Sequence, residues 1–311
     1  MQTRRKFIKT SALATGSLLA SNQIFASVLN NDGIHNITIL HTNDVHSRLE
    51  PFPMDGSKNQ GLGGVAARAE LINKIRAEKE HILLLDAGDI FQGTPFFNLY
   101  KGEPEIKAMT AMGYDAATMG NHDFDAGLDD FALQLKHANF PIIICNYDFT
   151  NTVMEGKYLP YKIFKKGKIK IGVTGVGVEL RGLVPDTLYG NTKYLDPIES
   201  ANRVATKLKK EDKCDMVICL SHLGFKSSAG KVCDDTFAPA SENIDLIIGG
   251  HSHTFFDAPI KYKNKSGNDV IVNQVGWAGI VLGRLDFQFS KVNGNSLINS
   301  HTVVIGEKTR E

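Results

Sequence analysis

The sequence predicts a layered α/β fold that closes in an antiparallel section, and three features predict it. Short apolar, β-rich runs recur between residues 36 and 249, helical periodicities lie between several of them, and beyond residue 255 the runs follow one another with only short turns between. In order, the first group is "NITIL" (36–40), "HILLLD" (81–86), "DAATM" (115–119), "PIIIC" (141–145), "IKIGVTGV" (169–176), "DMVICLS" (215–221) and "DLIIG" (245–249). Continuous apolar strands of this kind, separated by helices, imply a sheet covered on both sides. Over 64–78, Val65, Ala69, Ile72 and Ile75 recur at helical steps, with Arg68, Lys74 and Arg76 on other faces. Further helices are expected over 103–112, 127–138 and 197–211, the last with Pro197 in its first turn. After residue 255, "APIKYK", "NDVIVNQVG", "GIVLGRLDFQF" and "NSHTVVIG" read as consecutive strands, with "KSGND" as one of the turns.

The 311 residues, 42% hydrophobic and 22% charged, have the composition of an ordinary globular chain without repeats or low-complexity tracts. The first 26 residues differ. "TRRKFIK" precedes a short, weakly apolar stretch rich in Ser, Thr and Gly, which is too short and polar to span a membrane and has the order of an export signal. Paired Arg4 and Arg5 before Phe7, Ile8 and Lys9 resemble a twin-arginine signal, so a periplasmic protein cut near Ala26, with one domain over 27–311, is the expectation. No Cys follows the stretch to take a lipid anchor there, and no stable membrane insertion is expected. Removing the four basic residues of 1–26 from the 35 in the chain leaves 31 against 34 acidic, a net charge of −3. No basic tract remains, so nucleic acid is not expected as a partner. Cys145 and Cys219 sit inside apolar runs and read as free buried thiols, while Cys214 and Cys233 are left open between a pair and free thiols.

Five of the apolar strands end in side chains able to bind metal. "ILHTNDVH" supplies Asp44 and His46, "LLLDAGD" supplies Asp89, "MGNHDFD" supplies Asn121, His122 and Asp125, "VICLSH" supplies His222, and "LIIGGHSH" supplies His251 and His253. Each fragment alone has a plain explanation: Asp89 could cap a helix, Gly88 could serve a turn, and a histidine after a strand is often only a satisfied polar group. Together they are harder to dismiss, because the carboxyl ends of strands in an α/β sheet open onto one crevice where ligands bind. Such an oxygen and nitrogen set without thiolate suits divalent ions such as Zn, Mn, Fe, Co or Mg. His35, His81, His137 and His301 lack this setting and read as ordinary surface or helix residues.

In order along the chain, "HTNDVHSRLEPFP", "LLLDAGDIFQGTP", "GNHDFD", "SHLGF", "GGHSHT" and "VNQVGWAGIVLGRLDF" resemble the calcineurin-like metallophosphoesterases. More narrowly, they resemble the metallophosphatase domain of the exported 5′-nucleotidase/UDP-sugar hydrolase family, over roughly residues 36–290. The resemblance implies an α/β/β/α sandwich with mixed sheets. It also implies a dinuclear site in which Asp44, His46 and His253 hold one ion, Asn121, His222 and His251 hold the other, and Asp89 bridges. His122 matches the family's catalytic histidine and Asp125 the acid that orients it. Asp123 stands where the family often has Glu and is given no role.

The implied activity is hydrolysis of phosphomonoesters, nucleotides first, in nucleotide breakdown. A hydroxide held between two cations would attack phosphorus, and His122 would stabilise the transition state and protonate the leaving oxygen. Phosphodiesters and sugar-nucleotide pyrophosphates are variants within that chemistry. A metal-binding accessory protein without turnover is the reading from another class, and the complete donor set with His122 and Asp125 speaks against it. Full-length family members carry a second domain with arginines and stacking aromatics for the nucleoside. The sequence ends at Glu311 without a counterpart, and Arg284 and Trp277 are not taken to replace it. A separately encoded nucleotide-binding partner, or an open site of broad tolerance, is the expectation that follows.

Overall fold

The computed structural model describes residues 33–290 and 294–306. The segment read as an export signal lies outside the described residues, among which no helix is long and apolar enough to cross a membrane.

Strands alternate with helices as expected through the first half. β1 is His35–Thr42, α1 Val65–Glu78, β2 Ile82–Asp86, α2 Pro95–Tyr100, α3 Glu103–Met112, β3 Ala116–Ala117 and α4 Leu128–Gln134. A two-stranded ribbon joins β4 (Tyr147–Asp148) to a strand further along; β5 (Tyr161–Lys166), β6 (Ile169–Gly177) and α5 (Asp186–Tyr189) precede that partner, β7 (Lys193–Tyr194). Next come α6 (Pro197–Thr206), β8 (Met216–His222), α7 (Asp234–Ala240) and β9 (Leu246–Gly249). The closing section is β10 (Ile260–Lys263), β11 (Asp269–Asn273), β12 (Val281–Ser290) and β13 (Gly294–Val304).

These strands build two sheets. One has the order β13-β12-β1-β2-β3, parallel across β1, β2 and β3 and antiparallel where β12 joins β1 and β13. The other has the order β10-β11-β9-β8-β6-β5, with a parallel centre and antiparallel edges. Alternating side chains explain how the sheets stack. On β8, Met216, Ile218 and Leu220 enter the core between the sheets, whereas Val217 and Cys219 enter a core under α6 and α7. On β1, Ile37 and Ile39 face the second sheet while Leu40 joins Ile72, Ile75, Ile106 and Phe131 under α1, α3 and α4. The result is a four-layer α/β/β/α sandwich. It replaces the single covered sheet read from apolar runs alone and agrees with the layering that the resemblance implied.

Several elements depart from the sequence reading. "PIIIC" is buried but forms only isolated bridges, Ala117 with Ile142 and Ile143 with Leu159, and "DAATM" pairs over just two residues. The expected helix 127–138 gives way to a 3-10 turn after Gln134, and 197–211 changes to a π-helical turn at Lys207. The start of α6 follows its sequence: Pro197 occupies the first turn and the Asp196 carboxylate accepts the Glu199 amide at 2.8 Å. Arg68 is buried rather than on an outer face of α1. All four cysteines are free and buried, which settles Cys214 and Cys233 as unpaired thiols.

Candidate metal centre

The parallel pairing of β1 with β2 sets the first half of the site. Thr42 lies opposite Asp86, and beyond the strand ends the two loops stay joined as the Asp44 amide donates to the Gly88 carbonyl at 2.9 Å and the His46 amide to the Asp89 carbonyl at 3.0 Å. Asp44, His46 and Asp89 therefore leave adjacent strand tips in fixed relation. From the second sheet, β8 ends on His222 itself, and the loop after β9 brings His251 so close that its amide donates to both Asp44 carboxylate oxygens, at 2.9 and 3.0 Å. Donors 207 residues apart in sequence thus meet where the carboxyl ends of both sheets converge.

Two donor groups result. Asp44, His46 and His253 form one, and Asp89, His222 and His251 the other, each with its ligand atoms within 4.8 Å of one another. Asp89 stands between them: its Oδ2 is 3.0 Å from His222 Nε2 and 3.8 Å from His46 Nε2. His253 Nε2 lies 3.3 Å from Asp44 Oδ1 and 3.0 Å from His46 Nε2. Five of these donors, Asp44, His46, Asp89, His251 and His253, have φ between 50° and 70°, a left-handed conformation that non-glycine residues avoid. The converging hydrogen bonds hold them there.

The turn after β3 completes the site. Asn121 is buried, and its side-chain oxygen has no hydrogen-bond partner among the described residues. A Cβ on neighbouring Gly120 would lie 2.2 Å from Asp89 Oδ1 and 2.5 Å from His222 Nε2, so only glycine lets this main chain approach the donors. The His122 amide donates to Asp89 Oδ1 at 2.8 Å, its ring centroid is 5.2 Å from that of His46, and its Nδ1 donates to Asp125 Oδ2 at 2.7 Å. That last bond, helped by nearby carboxylates and opposed by partial burial, raises the His122 pKa.

The electrostatics of the pocket favour cations. Asp44 and Asp89 are buried and face imidazoles; among the described residues no lysine or arginine pairs with either. Burial opposes the charge on His222, but the Asp89 and Asp44 carboxylates outweigh it and raise its pKa to about 10. Burial and the His222 charge instead lower His251 to about 4, and burial lowers His46 against the pull of Asp89 and Asp44. His222 Nε2 lies 3.0 Å from Asp89 Oδ2 and points into the donor group. Its Nδ1 meets the Ala87 carbonyl at 2.7 Å and His46 Nδ1 meets that of Phe91 at 3.3 Å, which turns the opposite nitrogens inward as metal-bound imidazoles require. Buried carboxylates, inward-facing nitrogens and an unpartnered amide oxygen fit divalent cations.

Three residues without an assigned role hold the site together. Asp123 accepts the amides of Asp89 and Gly120 on one oxygen, at 3.0 and 2.8 Å, and those of Ile90 and Phe91 on the other, at 2.9 and 3.1 Å. Asn43 donates to Asp44 Oδ2 and the Gly276 carbonyl, both at 2.6 Å, and accepts the Val275 amide at 3.0 Å. Gln274 donates to the Gly250 carbonyl at 2.7 Å and accepts the Thr254 amide, clamping the loop that carries His251 and His253. Their one sequence signal is position, next to the donors or inside the same motifs. Of the residues set aside, Arg284 is engaged by Asp286 at 3.0 Å on β12, and His35, His81, His137 and His301 are absent from both donor groups.

Sandwich and pocket together define a metallophosphoesterase: two mixed sheets whose parallel strand tips present two candidate groups of oxygen and nitrogen metal donors. The chain belongs to the calcineurin-like phosphoesterase family, whose model matches residues 37–255. It is 35% identical over 296 residues to a snake venom 5′-nucleotidase of Gloydius brevicauda, covering 89% of this chain and 49% of that protein. It is 34% identical to a 5′-nucleotidase of Vibrio cholerae, over 88% of this chain and 52% of that one. Among solved structures, the 5′-nucleotidase precursor of Thermus thermophilus superposes with a TM-score of 0.77 at 32% identity, over 88% of this chain and 55% of that one. The chain spans about half the length of these relatives.

Proposed function

We propose that this chain is a two-metal phosphomonoesterase that hydrolyses nucleoside 5′-monophosphates, and that one domain over 27–311 carries the reaction. The observation that carries this reading is the position of Asp89, within 3.8 Å of His46 and 3.0 Å of His222, which lets one carboxylate serve both donor groups. Asp44, His46 and His253 would hold one ion, Asn121, His222 and His251 the other, with Asp89 shared. Bound there, two divalent cations supply Lewis acidity toward phosphoryl oxygens and lower the pKa of water into the neutral range.

The chain's own residues supply the rest. His122 is part-exposed at the edge of the donors, and Asp125 occupies its Nδ1, so Nε2 is the nitrogen free to meet a substrate oxygen. The Asp125 hydrogen bond raises its pKa, which favours the protonated ring that could donate to a leaving alkoxide and offset negative charge on the phosphoryl group. The Asn121 amide can both hold a cation and contact the phosphoryl group. Nucleotide preference is proposed from the relatives, whose names are those of 5′-nucleotidases.

The test is a substrate panel of AMP, p-nitrophenyl phosphate, a 2′,3′-cyclic nucleotide and a sugar nucleotide, assayed before and after chelation with metal content measured. Chelator-sensitive release of phosphate from AMP supports the proposal. Two bound ions without turnover of any of these would favour an accessory role, and cleavage of only the cyclic or sugar nucleotide would move the chain to another branch of the same chemistry. If AMP is cleaved only when a co-purifying protein is present, base recognition is supplied in trans. Export by the twin-arginine route is likewise proposed, on Arg4 and Arg5. Cytoplasmic retention of the Arg4→Lys, Arg5→Lys double variant, with the wild type in the periplasm, is the expected result.

A further inference from the structure

The four donor histidines are not held alike. His46 and His222 each fix their ring with a main-chain carbonyl at Nδ1. The side chain of His253 is 40% exposed, against 11% for His46 and none for His222, and among the described residues its second nitrogen has no hydrogen-bond partner. An imidazole attached through a soft terminal torsion and open to water has many orientations to lose on binding a cation.

His253 has a different neighbour. The indole of Trp277 stacks on it with ring centroids 5.7 Å apart and planes inclined by 8°. The indole is itself fixed from both sides of the chain: the Gly276 amide donates to the Thr254 carbonyl at 2.9 Å and the Ala278 amide to the Asp44 carbonyl at 2.7 Å. Its edge packs on Phe52, at 5.9 Å and 77°, and the Arg48 guanidinium lies 4.2 Å from the centroid of that ring. The residue that stacks on His253 is thus tied by its neighbours to the loops that carry Asp44 and His253.

We propose that Trp277 is the positioning residue of His253, taking the place of the missing hydrogen-bond acceptor, and that the Asp44–His46–His253 half of the centre depends on this indole whereas the Asp89–His222–His251 half does not. The inference rests on the two-metal reading above. A flat ring fixes the imidazole plane by offset stacking and shields one face from water, but unlike a carbonyl it leaves the tautomer free. The dependence is specific to an aromatic side chain.

Trp277 is the single tryptophan of the chain, so binding can be read without turnover. Metal-free protein is titrated with Zn²⁺ while bound metal and indole emission are followed. Wild type should bind two ions, with the emission change tracking the Asp44–His46–His253 half. Trp277→Ala should keep one ion at wild-type affinity and bind the second at least tenfold more weakly, and Trp277→Phe should recover most of that loss. In His253→Ala the emission response should vanish. Two ions bound at wild-type affinity by Trp277→Ala would overturn the proposal, as would an equal loss at both halves. Should Trp277→Ala fail to fold, the wild type decides: two bound ions with no emission change sink it. Fewer than two ions on the wild type would instead remove the two-metal reading beneath it.

Discussion

The carboxylate of Asp123 accepts the main-chain amide of Asp89 at 3.0 Å and, through the same oxygen, that of Gly120 at 2.8 Å. One buried side chain thereby joins the loop after β2 to the loop after β3, the two loops that meet at Asp89. Its other oxygen takes the Ile90 and Phe91 amides. Asp123→Asn would keep one acceptor oxygen and turn an NH2 toward two N–H groups. With two buried donors left unmatched, the loss should be roughly 2–4 kcal/mol. Urea unfolding of the chelated variant should show it as a lower midpoint, and an unchanged midpoint would contradict the role.

His122 lies outside both donor groups, so its removal should separate binding from chemistry. His122→Ala should retain its metal content while the rate on AMP falls by about 10²–10⁴-fold, the range of general acid catalysis. Asp125→Asn should cost less, because the imidazole survives and the amide oxygen can still accept its Nδ1–H, so that mainly the negative charge behind the 2.7 Å bond, which raises the ring's pKa, is lost. Turnover by His122→Ala at the wild-type rate would remove it from the mechanism.

The six residues of the two candidate donor groups were legible because each follows an apolar run: a strand that buries Leu83, Leu84 and Leu85 has no hydrophobic reason to deliver Asp89 at its tip. The supporting residues were not legible. Asn43 and Val275 are separated by 232 residues, and Asp123 acts on main-chain amides, so neither role leaves a trace in periodicity or spacing. The two-sheet layering was hidden for a related reason. On β1 both faces are apolar, Ile37 and Ile39 toward one core and Leu40 toward another, a pattern that a single covered sheet would share. "PIIIC" misled because burial alone makes a run apolar, whether or not it joins a ladder.

Left-handed backbone at five donors has a measurable consequence. His251 has φ 70°, where a Cβ costs about 1–2 kcal/mol and glycine pays no such penalty. In chelated protein, His251→Gly should therefore be more stable than His251→Ala by about 1 kcal/mol, reversing the usual order in which glycine's greater unfolded-state freedom makes it the weaker substitution. Thermal unfolding of the pair decides. An alanine variant equal to or above the glycine variant would show that the loop relaxes out of this conformation once the ligand is gone.

Cation binding should release a proton, and His222 is its source. Burial opposes charge on this ring, yet Asp89 and Asp44 raise its pKa to about 10, so the metal-free protein holds the proton at pH 8. A ligating imidazole must be neutral. His46 and His251, lowered by burial, are already neutral at pH 8 and have none to give. Calorimetry of Zn²⁺ binding at pH 8 in buffers of different ionisation enthalpy should therefore count about one proton released on filling the His222 half, and His122→Ala should leave that count unchanged. Affinity should fall about tenfold per pH unit below pH 10 for this proton. The sign reverses for the metal-free fold: a pKa raised above the unfolded value near 6.5 stabilises fully below that pH, and the contribution fades as pH rises through about 10. Chelated protein should thus lose stability on the alkaline side as the metal-loaded form gains affinity. Binding without proton release would show that His222 is already neutral in the free pocket.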